Sequence, residues 1–115
     1  MTFTPGEELS TEEVEERVES AIENEDVVLF MKGTRMMPQC GFSKRAVGLL
    51  GKHRGDDFET VDVLDNLDAY REALSAHSGW ETIPQTYVDG EFIGGSDILA
   101  EMEERDELES TLRAD

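Results

Sequence analysis

Apolar positions alternate between helical and strand spacing along the chain. Val14, Val18, Ala21 and Ile22 recur every three to four residues behind Ser10, and Ser10 with Glu13 forms a capping-box pair, which predicts a helix from about Thr11 to Glu23. Val27 to Met31 is short, β-branched and apolar throughout, the signature of a strand buried on both faces. Gly33 to Gln39 reads as a loop punctuated by Pro38. From Gly41 the helical period returns, with Phe42, Ala46, Val47, Leu49 and Leu50 on one face and Gly51 or Gly55 closing the helix. Phe58 to Val63 alternates as a second strand, and a helix follows from about Leu67 to His77, after which Gly79 and Pro84 interrupt the chain. Thr86 to Val88 and Glu91 to Ile93 flank Asp89-Gly90, a pair suited to the two positive φ values of a tight hairpin turn. Gly94-Gly95 then opens onto Ser96-Asp97, good N-cap chemistry for a closing helix through Ile98, Leu99 and Met102, with a second short helix to Leu112.

A strand, a helix and a further strand imply a parallel pair, and the hairpin adds two antiparallel strands. The expected fold is α/β, a mixed four-stranded sheet flanked by helices, in one domain over residues 1–115 with its core at about 11–112. No repeat, low-complexity tract or linker interrupts it.

Composition narrows the function. The chain has 115 residues, 28 of them Asp or Glu against 10 Lys or Arg, for a formal charge of -18. Such a surface repels phosphate backbones and anionic lipid, so neither nucleic acid nor membrane is an expected partner. Three Lys, seven Arg and 28 acids resemble the usage of proteins that live in concentrated salt. Met1 to Ser10 has no apolar leader, and the longest strongly apolar run is five residues, so neither signal peptide nor membrane span is expected. A single cysteine permits no internal disulfide and points to a reducing, cytoplasmic setting.

That cysteine, Cys40, lies in the one stretch from which acids are missing: residues 27–55 hold none, and carry Lys32, Arg35, Lys44, Arg45, Lys52 and Arg54. At a loop-to-helix junction the helix dipole, free backbone N–H groups and nearby cations each favour the thiolate, although a lone cysteine is also commonly just a small buried hydrophobe. His53 and His77 lack the spacing of a zinc site and read as structural, Phe42 and Trp80 read as packing residues, and Met36-Met37 reads as cover for the site rather than as metal ligands.

Cys40-Gly41-Phe42-Ser43, preceded by Met31-Lys32-Gly33-Thr34 and Pro38-Gln39, resembles the active site of monothiol glutaredoxins of the Cys-Gly-Phe-Ser class. Trp80, Thr82-Ile83-Pro84-Gln85, Tyr87 to Gly95 and Asp97-Ile98-Leu99 are similar to that family in the same order, so the likeness runs over about residues 11–112. It implies a thioredoxin-like fold, a glutathione-like thiol beside Cys40 and a role in carrying iron–sulfur clusters. By the same resemblance, Lys32 and Arg71 would pair with the ligand's carboxylates, the backbone of Ile83 before a cis Pro84 would bond its cysteinyl part, and Ser96-Asp97 would hold its γ-glutamyl end. Phe42 and Gly95 would border the same thiol. Two residues depart from the pattern: Glu81 where the family has Pro, and Ser96 where it often has Cys, which removes one possible disulfide partner.

Ser43 is not a resolving thiol, so Cys40 must hand over to an external one. A [2Fe–2S] cluster takes four thiolates, a set that two copies of Cys40 and two small thiols would complete. Two functions follow: a homodimer bridged by a labile [2Fe–2S] cluster, with Cys40 as metal ligand, delivering it to apo iron–sulfur client proteins; or a monothiol oxidoreductase with Cys40 as catalytic nucleophile, clearing protein–glutathione mixed disulfides. A third is an interaction module docking partners through the acid-free face.

Overall fold

The computed structural model describes residues 9–113. The reading of Met1 to Ser10 as leaderless falls, for residues 1–8, outside them. Helix α1 spans Thr11–Asn24, and its cap is the expected box: the Glu13 amide donates to the Ser10 hydroxyl at 3.1 Å and the Ser10 amide to the Glu13 carboxylate at 3.0 Å. The other elements are β1 (Val27–Met31), α2 (Gly41–Arg54), β2 (Glu59–Asp62), α3 (Leu67–Ser78), β3 (Gln85–Val88), β4 (Glu91–Gly94), α4 (Ser96–Glu104) and α5 (Leu108–Arg113).

The sheet order is β2-β1-β3-β4, with β1 and β2 parallel and the other pairs antiparallel, which is the mixed four-stranded sheet expected. β1 lies inside it and is buried from end to end, because its side chains feed two cores. Val28 and Phe30 join Val14, Val18, Ile22, Tyr70 and Leu74 of α1 and α3 on one face. Val27, Leu29 and Met31 join Ala46, Leu50, Leu99, Leu108 and Leu112 of α2, α4 and α5 on the other. At about 1.5–3 kcal/mol for each such side chain fully buried, these two layers fix the helices against the sheet. Asp89 (φ 50°) and Gly90 (φ 82°) make the hairpin turn between β3 and β4. Among the described residues no helix is long and apolar enough to cross a membrane.

Three local readings are corrected. Phe58 is buried ahead of β2 rather than paired within it. A 3-10 turn, Leu64–Asn66, precedes α3 where the chain read as a connection; the Asp62 carboxylate builds it by accepting from the Leu64 amide at 3.0 Å. The cap of α4 is Gly95, with no side-chain bond, and Ser96 is already in the helix and buried. The chain turns early there because it is pressed between two neighbours: a Cβ on Gly94 would stand 2.6 Å from Ile98 Cβ, and one on Gly95 3.0 Å from the Pro84 carbonyl oxygen.

Candidate active site

The segment between β1 and α2 is a tight loop whose backbone bonds to itself. The Thr34 amide donates to the Met37 carbonyl at 3.2 Å, the Met37 amide to the Thr34 carbonyl at 3.1 Å, and the Gln39 amide to the Lys32 carbonyl at 2.9 Å. Gly33 is required: its φ is +88°, and a Cβ there would lie 2.5 Å from the Met37 carbonyl oxygen. The Gly33 amide donates to Asp62 at 3.0 Å, and the Arg35 guanidinium donates to the carbonyls of Asp56 and Phe58 while lying 4.2 Å above the Phe58 ring. Strand β2 and the segment just ahead of it therefore hold the loop, and the loop delivers Cys40 as the N-cap of α2.

The Cys40 sulfur accepts from the Ser43 amide at 3.4 Å and stands 3.5 Å from the Ser43 hydroxyl. The thiol donates to that hydroxyl; once ionised, it receives the hydroxyl proton's hydrogen bond instead. Ser43 is fully buried, and its oxygen also accepts from the Lys32 amide at 3.1 Å. Partial burial pushes the thiol upward, but the Ser43 hydroxyl, the Ser43 and Phe42 amides and the Lys32 charge outweigh it and hold Cys40 below the ordinary thiol value. Among the described residues no three His, Cys, Asp or Glu side chains converge to hold a metal ion.

A groove of about 590 Å³ borders this thiol's helix and gathers six of the predicted residues: Phe42, Ile83, Pro84, Gly95, Ser96 and Asp97. The Ile83–Pro84 peptide is cis. Phe42 and Trp80 are not core packing residues; each is 60% exposed, and both line the groove. Gln85, buried at the start of β3, supports the wall: its side-chain amide donates to the carbonyls of Trp80 (2.7 Å) and Thr82 (3.1 Å), and its oxygen accepts from the Tyr87 hydroxyl at 2.9 Å.

Cys40 itself, Lys32 and Arg71 are not in the groove lining; Phe42, two residues on, is the nearest lining residue to Cys40 in sequence. Lys32 is half-buried and acts on the Cys40 charge. Arg71 sits on α3 with its guanidinium 4.0 Å from Asp68. Most of the bases near Cys40 in sequence are claimed by other carboxylates and carbonyls: Arg45 pairs with Asp97 at 3.4 Å, Lys52 and His53 share Glu103, and Arg54 holds Asp57 and the Leu112 carbonyl, while Lys44 is exposed on α2. His53 stands 2.7 Å from the Glu103 carboxylate. Met36 and Met37 are 87% and 67% exposed. The roles of Ser43, Gln85 and Asp62 are absent from the sequence reading. Of these, Ser43, inside the Cys40-to-Ser43 motif, and Gln85, inside the Thr82-to-Gln85 block, carried a signal, and Asp62 carried none.

Comparison with known proteins finds matches along most of the chain. The glutaredoxin family model matches residues 27–93. A probable monothiol glutaredoxin of Legionella pneumophila is 56% identical over 86 residues, covering 75% of this chain and 94% of that protein. A chloroplastic bifunctional monothiol glutaredoxin of Arabidopsis thaliana is 47% identical over 115 residues; the match takes in 96% of this chain, which spans only 38% of that protein. Among solved structures, reduced apo GrxS14 of poplar superposes with a TM-score of 0.74 at 40% identity, over 87% of this chain and 90% of that one.

Proposed function

The chain belongs to the glutaredoxin family, as a monothiol member with the thioredoxin-like fold, and on that premise we propose that it carries a labile [2Fe–2S] cluster to apo iron–sulfur proteins. The observation that carries the reading is Cys40 itself: one thiolate-prone sulfur at the cap of a helix whose Phe42 lines a groove, with a buried serine where a second thiol would stand. Four thiolates hold such a cluster. One chain offers one, so two copies and two glutathione-like thiols complete the set, and the cluster, as cargo, bridges a homodimer.

The chain's own residues do the positioning. The Ser43 hydroxyl and amide fix the sulfur, and Phe42, Ile83, Pro84, Gly95, Ser96 and Asp97 border the thiol. Lys32 and Arg71 supply cations for its carboxylates. Because half the ligands are exchangeable small molecules, the cargo leaves readily. A reducing, cytoplasmic location keeps Cys40 free, and the carboxylate-rich surface suits concentrated salt.

The test is anaerobic reconstitution with iron, sulfide and glutathione in high salt, following visible absorption and solution mass. Cluster absorption that needs thiol, accompanies dimerisation and vanishes in Cys40→Ser is expected; a colourless monomer, or colour retained in Cys40→Ser, overturns the reading.

The low-lying thiol also favours a second activity. The Cys40 thiolate attacks the glutathione sulfur of a protein mixed disulfide, the S–S bond re-forms on Cys40, and the electron pair leaves with the protein thiolate. A second thiol then releases Cys40. Turnover of a small mixed disulfide, lost in Cys40→Ser, is expected of it; absence of turnover overturns it.

A further inference from the structure

The groove that Phe42 of α2 borders, two residues on from Cys40, has a broad apolar margin. Phe42 and Trp80 are each 60% exposed and Ile98 43%, on a chain of formal charge -18. Aromatic and aliphatic side chains left to water at a groove mark a contact surface. Two carboxylates stand at its edge: Asp97, which lines it, and Glu81, exposed between the lining residues Trp80 and Thr82. Arg45 already pairs with Asp97, whereas Glu81 has no ion pair among the described residues.

We propose that this margin docks a cysteine-bearing segment of a partner protein, its apolar side chains on Phe42, Trp80 and Ile98 and a Lys or Arg beside its cysteine facing Glu81. Charge complementarity selects that occupant. Glu81 is the edge carboxylate that lacks a cation among the described residues, and an acidic segment would be repelled by the whole surface. The inference rests on the reading of Cys40 as a thiol that meets other proteins' thiols.

Short peptides with one cysteine, activated as its thionitrobenzoate disulfide and flanked by Leu with either Lys or Glu outside, test it on the full chain. The Cys40 thiolate attacks the peptide sulfur, a Cys40–peptide S–S bond forms, the peptide–aryl S–S bond breaks, and the electron pair departs with thionitrobenzoate, the leaving group of lower pKa. The Lys-flanked peptide should react faster. Glu81→Lys should cut that preference about three-fold, Glu81→Gln by less, and Glu12→Lys, an equal change of net charge on α1, should barely move it. The preference should fade in molar salt. Trp80→Ala should slow Leu-flanked peptides more than Ser-flanked ones. Equal effects of Glu81→Lys and Glu12→Lys would overturn the inference, leaving only the general field of the protein. The glutathione–thionitrobenzoate disulfide separates the two levels: if Cys40 does not react with it, the thiol reading falls and the docking surface with it; if it reacts alike in all variants, the peptide result judges the docking alone.

Discussion

Replacing Ser43 by Ala removes one oxygen that serves two groups. That oxygen meets the Cys40 sulfur at 3.5 Å and accepts from the Lys32 amide at 3.1 Å. A hydrogen bond to a charged group contributes about 1.5–3 kcal/mol; at this length the value falls near about 1 kcal/mol. Losing it lowers the thiolate fraction roughly five-fold at any pH below the thiol's midpoint. Burial still raises the thiol and only the Ser43 and Phe42 amides and the Lys32 charge remain to oppose it, so the thiol moves upward. Alkylation rate is a poor measure, because a less acidic thiol is also the better nucleophile. Ultraviolet absorption of the thiolate, titrated against pH, reads the protonation directly. The freed Lys32 amide adds a structural cost of about 1–3 kcal/mol, visible in urea unfolding. The sign with pH follows from the direction of the shift: a thiol held low in the fold stabilises it once pH is high enough for ionisation, and Ser43→Ala flattens that gain. An unchanged thiolate midpoint in a folded Ser43→Ala protein would refute the assignment and leave the helix cap alone responsible.

Gln85→Leu should loosen the groove wall by removing the donor to the Trp80 and Thr82 carbonyls and the acceptor of the buried Tyr87 hydroxyl, costing about 1–3 kcal/mol in urea unfolding even though Ser78 still bonds Trp80 and Tyr87. Glutathione binding by calorimetry should weaken alongside it, with Cys40 ionisation unmoved. Lys52 and then His53 hold the Glu103 carboxyl below the ordinary carboxylate range, so its contribution to stability is present above that range and is lost as pH falls through the depressed value. Glu103→Gln should therefore lower the urea midpoint at neutral pH and converge with the parent protein in acid.

Much of the fold was legible because it was written locally. Val27–Met31 reads as one apolar run because both of its faces meet helices, Ser10 and Glu13 cap α1 within one turn, and Asp89-Gly90 is a turn wherever two strands flank it. What stayed hidden depends on residues distant in sequence. The 3-10 turn at Leu64–Asn66 follows an Asp62 carboxylate that also receives the Gly33 amide, 29 positions away. Phe42 and Trp80 look like core residues by type, and only the tertiary arrangement shows them standing at the rim of a groove.

The acid-free segment misleads for a reason that itself can be tested. Lys52 lies twelve positions beyond Cys40 in sequence, near the far end of α2, about 18 Å along the helix axis. That exceeds the Debye length of about 8–10 Å at ordinary ionic strength. Lys52 is also bound to Glu103, and Arg45 to Asp97, so of the six bases only Lys32 bears on the thiol. The remaining support comes from the Ser43 hydroxyl and two backbone amides, short-range contacts that dissolved ions screen little. The Cys40 thiolate midpoint should thus rise only slightly between dilute buffer and molar potassium chloride, and Lys32→Gln should remove that small rise. A large upward shift with salt would show that the basic run does act in concert on the sulfur, and would restore the reading that charge rather than hydrogen bonding holds Cys40 ionised. A small one would mean that the same thiol chemistry serves in dilute or concentrated salt, leaving the acidic exterior free to vary without disturbing the cap of α2.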